Sequence, residues 1–149
     1  MKIELSINRA DVYKEVAQST SYTGAKMEGD ENAFDRISTV DEDQSELQRF
    51  WDECRAEVAQ AFVRMIESES MDGDDYTLVL DVSSAFDEAL LPSMNLGLFS
   101  YFVQSISGKW YVYTNKSEAA DYATQGKTLL DEVRQKAFFK KKPERPTYK

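Results

Sequence analysis

The 149-residue chain has no histidine, one cysteine, three prolines, six glycines and no long apolar run. Each shortage removes a class of function. Without histidine there is no Ser-His or Cys-His nucleophile pair, and the commonest general base and transition-metal ligand are missing. A lone Cys54 cannot close an internal disulfide or contribute to a thiolate zinc cluster. No stretch approaches the roughly 18 apolar residues a membrane span requires. Met1-Lys2-Ile3-Glu4-Leu5 lacks the apolar core of a signal peptide, so synthesis in the cytosol is expected. Enzymes that work with carboxylates or lysine are still allowed, but the sequence assigns no catalytic residue, cofactor or metal ligand.

What is present describes one domain. The chain is 42% hydrophobic and 12% aromatic, enough to build a single core. Its net charge is −9, and that charge is unevenly placed. Residues 133–149 sum to +6, so the first 132 sum to −15. An acidic body repels phosphate and disfavours nucleic acid as the main partner. The basic tail, 140–149, is left as the only place for such contact. Within it Lys140, Lys141, Lys142 and Arg145 are the candidate partner-binding residues, set against the plainer reading of cations completing a helix C-terminus.

Residues 1–7 alternate, with Ile3, Leu5 and Ile7 on one side, which predicts a half-buried strand. Asn8 followed by Asp11 reads as a helix start, and the helix should cover about 9–20, with Gly24 a plausible stop. Residues 28–43 form an acidic connector in which Arg36 is the one cation. Neither Asp41-Glu42-Asp43 nor Asp72-Gly73-Asp74-Asp75 has the ligand spacing of a calcium loop. Asp43 and Glu46 mark the start of the clearest helix, 44–69. Leu47, Phe50, Trp51, Cys54, Val58, Ala61, Phe62, Met65 and Ile66 form its apolar stripe. Cys54 lies on that stripe and reads as a core residue. Tyr76, Leu78, Leu80 and Val82 alternate as a second strand, expected to pair with the first or with a neighbouring subunit. Ser83–Leu91 is a connector with one possible helical turn at 85–88, and Pro92 suits the start of the next element.

Met94–Phe139 reads as a helical hairpin joined at Thr114-Asn115-Lys116. The spacing of Leu96, Phe99, Phe102, Val103, Ile106, Trp110 and Tyr113 is helical and keeps its phase across Gly108. Residues 109–113 are rich in β-formers, so a third strand is the alternative there. Small residues in the first half of the second arm should let another helix approach closely. Ser107-Gly108-Lys109 fails as a phosphate loop, because Val103 and Trp110 stand where glycine and Ser/Thr are needed. The expected fold is mainly α: a four-helix-type domain over 1–139 with a minor two-stranded β element, α+β being the alternative. The 44–69 helix is expected to be its best-specified core piece.

Several stretches carry a resemblance. They are Trp110-Tyr111, Thr114 through Tyr122, Leu129 through Arg134, Lys142 through Pro146, Tyr22 through Lys26 and Phe50-Trp51. In these the chain resembles small virion proteins of tailed bacteriophages and prophages, and more broadly head–tail connector (adaptor) proteins. The resemblance implies a non-enzymatic subunit made in the bacterial host cytoplasm. It would assemble with itself into a ring, dodecameric if connector-like, at the virion neck beneath the portal. Portal and tail or neck proteins would be its partners, with no membrane involved. The alternative is a small phage or bacterial interaction module, a chaperone or inhibitor, that forms no ring.

Overall fold

The computed structural model describes residues 1–26 and 43–141. Strand β1 (Lys2–Asn8) leads into helix α1 (Arg9–Lys26). Helix α2 (Gln44–Ala61) is followed by strands β2 (Ile66–Asp72) and β3 (Asp75–Asp81). A short 3-10 turn (Glu88–Leu90) precedes helices α3 (Leu91–Thr114) and α4 (Lys116–Lys136). The chain is thus mainly α with a small antiparallel sheet, as expected. The acidic connector lies outside the described residues, apart from Asp43, as do Lys142 and Arg145.

The sheet has three strands, in the order β1-β3-β2, not two. Its inner face is what the alternation foretold: Ile3 lies opposite Leu80, Leu5 opposite Leu78 and Ile7 opposite Tyr76, all six buried. The third strand corrects the 44–69 helix, which ends eight residues early. Met65 and Ile66 stay in phase with the apolar stripe, but the chain turns at 62–65 and pairs with β3. Gly73 drives this outcome. At φ +60° it begins a two-residue turn between the paired Asp72 and Asp75, and Asp74 keeps a negative φ, the pattern of a type II′ hairpin. Those acids shape a turn. Arg9 bridges Asp74 at 2.9 Å, and the Asn8 side-chain amide donates to Asp75 at 3.0 Å.

Helix starts follow the sequence more closely than helix ends. Asn8 Oδ1 accepts the Asp11 amide at 3.0 Å. Past Gly24, however, α1 continues to Lys26: a helix-interior glycine costs about 1 kcal/mol, which is too little to stop a helix already under way. α2 begins directly after Asp43, though that side chain makes no cap bond. Pro92 sits in the first turn of α3. The turn expected at 85–88 forms at Glu88–Leu90 instead, with Asp87 Oδ1 accepting the Ala89 amide at 3.1 Å. Residues 109–113 are helical, and α3 and α4 meet at Asn115. Among the described residues no helix is long and apolar enough to cross a membrane.

α3 is the central element, packing on α1, α2, α4 and β1. It buries Met94, Leu98, Phe102 and Ile106 together with Tyr101 and Tyr111. The main core joins it to Trp51 of α2, whose ring lies 4.5 Å from Phe102 and 5.9 Å from Tyr76. α3 and α4 approach closely through glycine. A Cβ on Gly97 would sit 2.8 Å from Val133 Cγ2, whereas one on Gly126 would meet Ser105 at 3.4 Å. Valine is stiff at χ1 and cannot swing aside. Gly97→Ala should therefore destabilise by about 1–3 kcal/mol. Gly126→Ala should stabilise by roughly 0.5–1 kcal/mol through helix propensity. Urea denaturation of the two variants measures both signs.

Candidate functional site

Two concave surfaces stand out. The larger is an open groove of about 860 Å3 floored by α3 and walled by α2 and α4. The walls meet at one end, where Arg134 Nε donates to the Ala61 carbonyl at 3.0 Å and satisfies the C-terminus of α2. Small residues, among them Ala56, Ala119, Ala123 and Gly108, keep the groove wide.

A polar cluster sits on its α2 side. Tyr101 donates to Glu57, and Lys109 lies 3.0 Å from Glu57 and 3.4 Å from Glu53. Cys54 is buried beneath them. Burial pushes the Cys54 thiol up to about 12, opposed by its hydrogen bond with Ser105. Burial raises Tyr101 as well, reinforced by the electrostatic influence of Cys54 and the bond to Glu57. Burial works against the Lys109 ammonium, but the bond to Glu57 and the charges of Glu57, Cys54 and Glu53 together outweigh it and raise that pKa. At neutral pH thiol, phenol and ammonium all keep their protons. None of the three is a nucleophile or a base in that state. The cluster can hold a partner's polar groups.

The second surface is at the C-terminal end of α4. A cleft of about 360 Å3 is lined by Ala61, Val63, Arg64, Arg134 and Phe138, with Asp131 on its α4 wall. Val63 is 60% exposed, Phe138 56% and Phe139 53%, so the Phe138-Phe139 pair is not a buried helix end. Arg134 stacks over the Phe138 ring at 5.6 Å. The chain then runs back along the connector before α3: Asp87 N donates to the Phe139 carbonyl at 3.3 Å and Lys141 N to the Ala85 carbonyl at 2.6 Å. Phe86, which pairs with Lys140, is buried and pins this crossing.

Of the four basic residues singled out from sequence, Lys140 and Lys141 are described and exposed, and Lys140 lines a smaller hollow of about 180 Å3 that shares Arg64, Met65 and Phe138 with the cleft. Val63, Arg64 and Arg134 were not expected there. The four-residue spacing from Arg134 to Phe138 is a helical stacking signal that points to one of them. Val63 and Arg64 reach the cleft only because α2 ends early. Among the described residues no group of three or more acidic or cysteine side chains is placed to hold a metal ion. Comparison with protein-family models, curated proteins and solved structures returns no match.

Proposed function

We propose that the chain is a non-enzymatic structural subunit that works by binding protein surfaces, its own copies included. In its specific form this is a head–tail connector (adaptor) of a tailed phage or prophage, forming a ring at the virion neck beneath the portal. The phage identity rests on the resemblance of the 110–146 stretch. The assembly role rests on one observation: exposed Val63 and Phe138 framed by Arg64 and Arg134, with Lys140 in the adjoining hollow, on a chain of net charge −9. Arginine and large aromatic groups are the usual anchors of protein interfaces. The groove along α3 favours a second reading, a monomeric chaperone or inhibitor that clasps a partner's helix.

Truncation after Lys141 tests the assembly role. It leaves the main-chain bonds of residues 139 and 141 in place and removes Lys142, Arg145 and Lys149. Light scattering should show a smaller assembled mass than the intact chain at low salt, with the deficit shrinking as added salt screens the tail's charges. Unchanged scattering would remove the tail from the proposal.

A further inference from the structure

We infer that the acidic β2–β3 hairpin tip of one copy docks in the Arg64–Arg134 cleft of the next, so that copies join head to tail. The inference rests on the self-association reading above and names its contact.

The two surfaces lie at opposite ends of the sheet. The hairpin tip, Asp72 to Asp75, is exposed at the start of β3, with Asp74 held by Arg9 and Asp75 by Asn8. The cleft lies beyond its other end, where Asp81 N bonds the Met65 carbonyl at 2.7 Å and Met65 itself lines the cleft. The six steps along the seven-residue strand β3, at ~3.4 Å each, separate them by roughly 20 Å.

Their chemistry is complementary. Among the described residues no ion pair uses Arg64, Arg134, Lys140 or Lys141, nor Lys14, Lys116, Lys127 or Lys136; what sets the cleft apart is that it places two arginines beside exposed apolar side chains. Asp131 is the one acid lining the cleft, and Asp81 lines the adjoining hollow with Arg64 and Lys140. Arg134 is held in place by Phe138 and the Ala61 carbonyl, so little side-chain entropy is lost when it grips a carboxylate. On the other side Asp72 has no ion pair, and the tight turn at Gly73 presents it on a narrow, rigid projection. Val63 and Phe138 supply the apolar contact that exposed charges alone do not. Because the two surfaces differ and face away from each other, the contact is heterologous. It propagates, and it closes into a ring when the rotation between copies allows.

Two full-length variants and their mixture decide the matter. One carries Asp72→Lys with Asp75→Lys; the other carries Arg64→Glu with Lys140→Glu. Arg134 is kept because it holds α2 to α4, and far-UV circular dichroism confirms that each variant folds. The intact chain should sediment as a multi-copy species. Each variant alone presents like charges at both ends and should sediment as a monomer. An equimolar mixture pairs each native end with a native one and each reversed end with a reversed one, so it should regain the assembled mass. Assembly that persists in either variant, or a mixture that stays monomeric, overturns this contact and leaves self-association through another surface standing. A monomeric intact chain overturns both readings.

Discussion

Trp51→Ala is expected to cost about 3–5 kcal/mol of folding stability, a large part of the roughly 5–15 kcal/mol a domain of this size has. Trp51 is fully buried and sits where α1, α2, α3 and the sheet converge. Its ring meets Tyr13 at 6.3 Å, Tyr76 at 5.9 Å and Phe102 at 4.5 Å. Truncation leaves a cavity bordered by these stiff rings, which cannot close over it. The indole also carries a cost: its Nε1 is buried with no hydrogen-bond partner. An orphaned buried donor costs ~1–3 kcal/mol. Trp51→Phe should therefore lose clearly less than Trp51→Ala, because it keeps most of the apolar surface and removes the orphaned group. Denaturant titration gives both values. Equal losses would place the energetic centre elsewhere.

The second large effect is unfolding in alkali. Burial pushes Cys54 from 9.0 to about 12 and Tyr13 from 10.0 to about 12. Tyr76 and Tyr101 are raised further still, first by burial; for Tyr76 the bond to Glu69 comes next, and for Tyr101 the influence of Cys54. Each group is neutral when protonated and holds its proton more tightly when folded. Its stabilising contribution is full below its unfolded pKa and is lost as pH rises toward the folded value. Stability should thus be level at neutral pH and fall from about pH 9 upward. The slope is about 1.4 kcal/mol per pH unit for each buried group in its titrating range. The part of the tyrosinate absorbance that comes from Tyr13, Tyr76 and Tyr101 should rise in one cooperative step with the loss of helical signal. Gradual titration of all eight tyrosines in a folded chain would contradict the buried hydroxyls.

The sequence makes some of this fold readable and hides the rest for physical reasons. Strands β1 and β3 have one wet face, so a period of two shows plainly in Ile3-Leu5-Ile7 and Tyr76-Leu78-Leu80. Strand β2, Ile66-Glu67-Ser68-Glu69-Ser70-Met71-Asp72, gives no such signal. Its core-facing Glu69 is charged and is held there by Arg55 at 3.3 Å and the Tyr76 hydroxyl at 2.7 Å. An inward charge on an edge strand discourages edge-to-edge pairing and also erases the alternation. At Trp110–Tyr113 the β-forming residues lose to packing. Gly108 lies where its Cβ would touch Tyr122 and the Ala123 backbone at 3.2 Å, and only a continuous helix brings α3 that close to α4.

The two concave surfaces were hidden for a different reason. The groove exists only because three helices splay apart, and no local pattern records that. The basic cleft was half visible. Lys140 stands out in the basic run, but Val63 and Arg64 come near it through the turn at 62–65, which the apolar phase of α2 conceals. The same early end of α2 that frees residues for β2 therefore also builds the cleft.

Sedimentation velocity of the intact chain, across protein concentration and at low and high salt, tests the assembly reading most directly. Expected is a discrete multi-copy species that grows with concentration and dissociates as salt screens the Arg64, Arg134 and Asp72 charges. A monomer at every concentration and salt would contradict it.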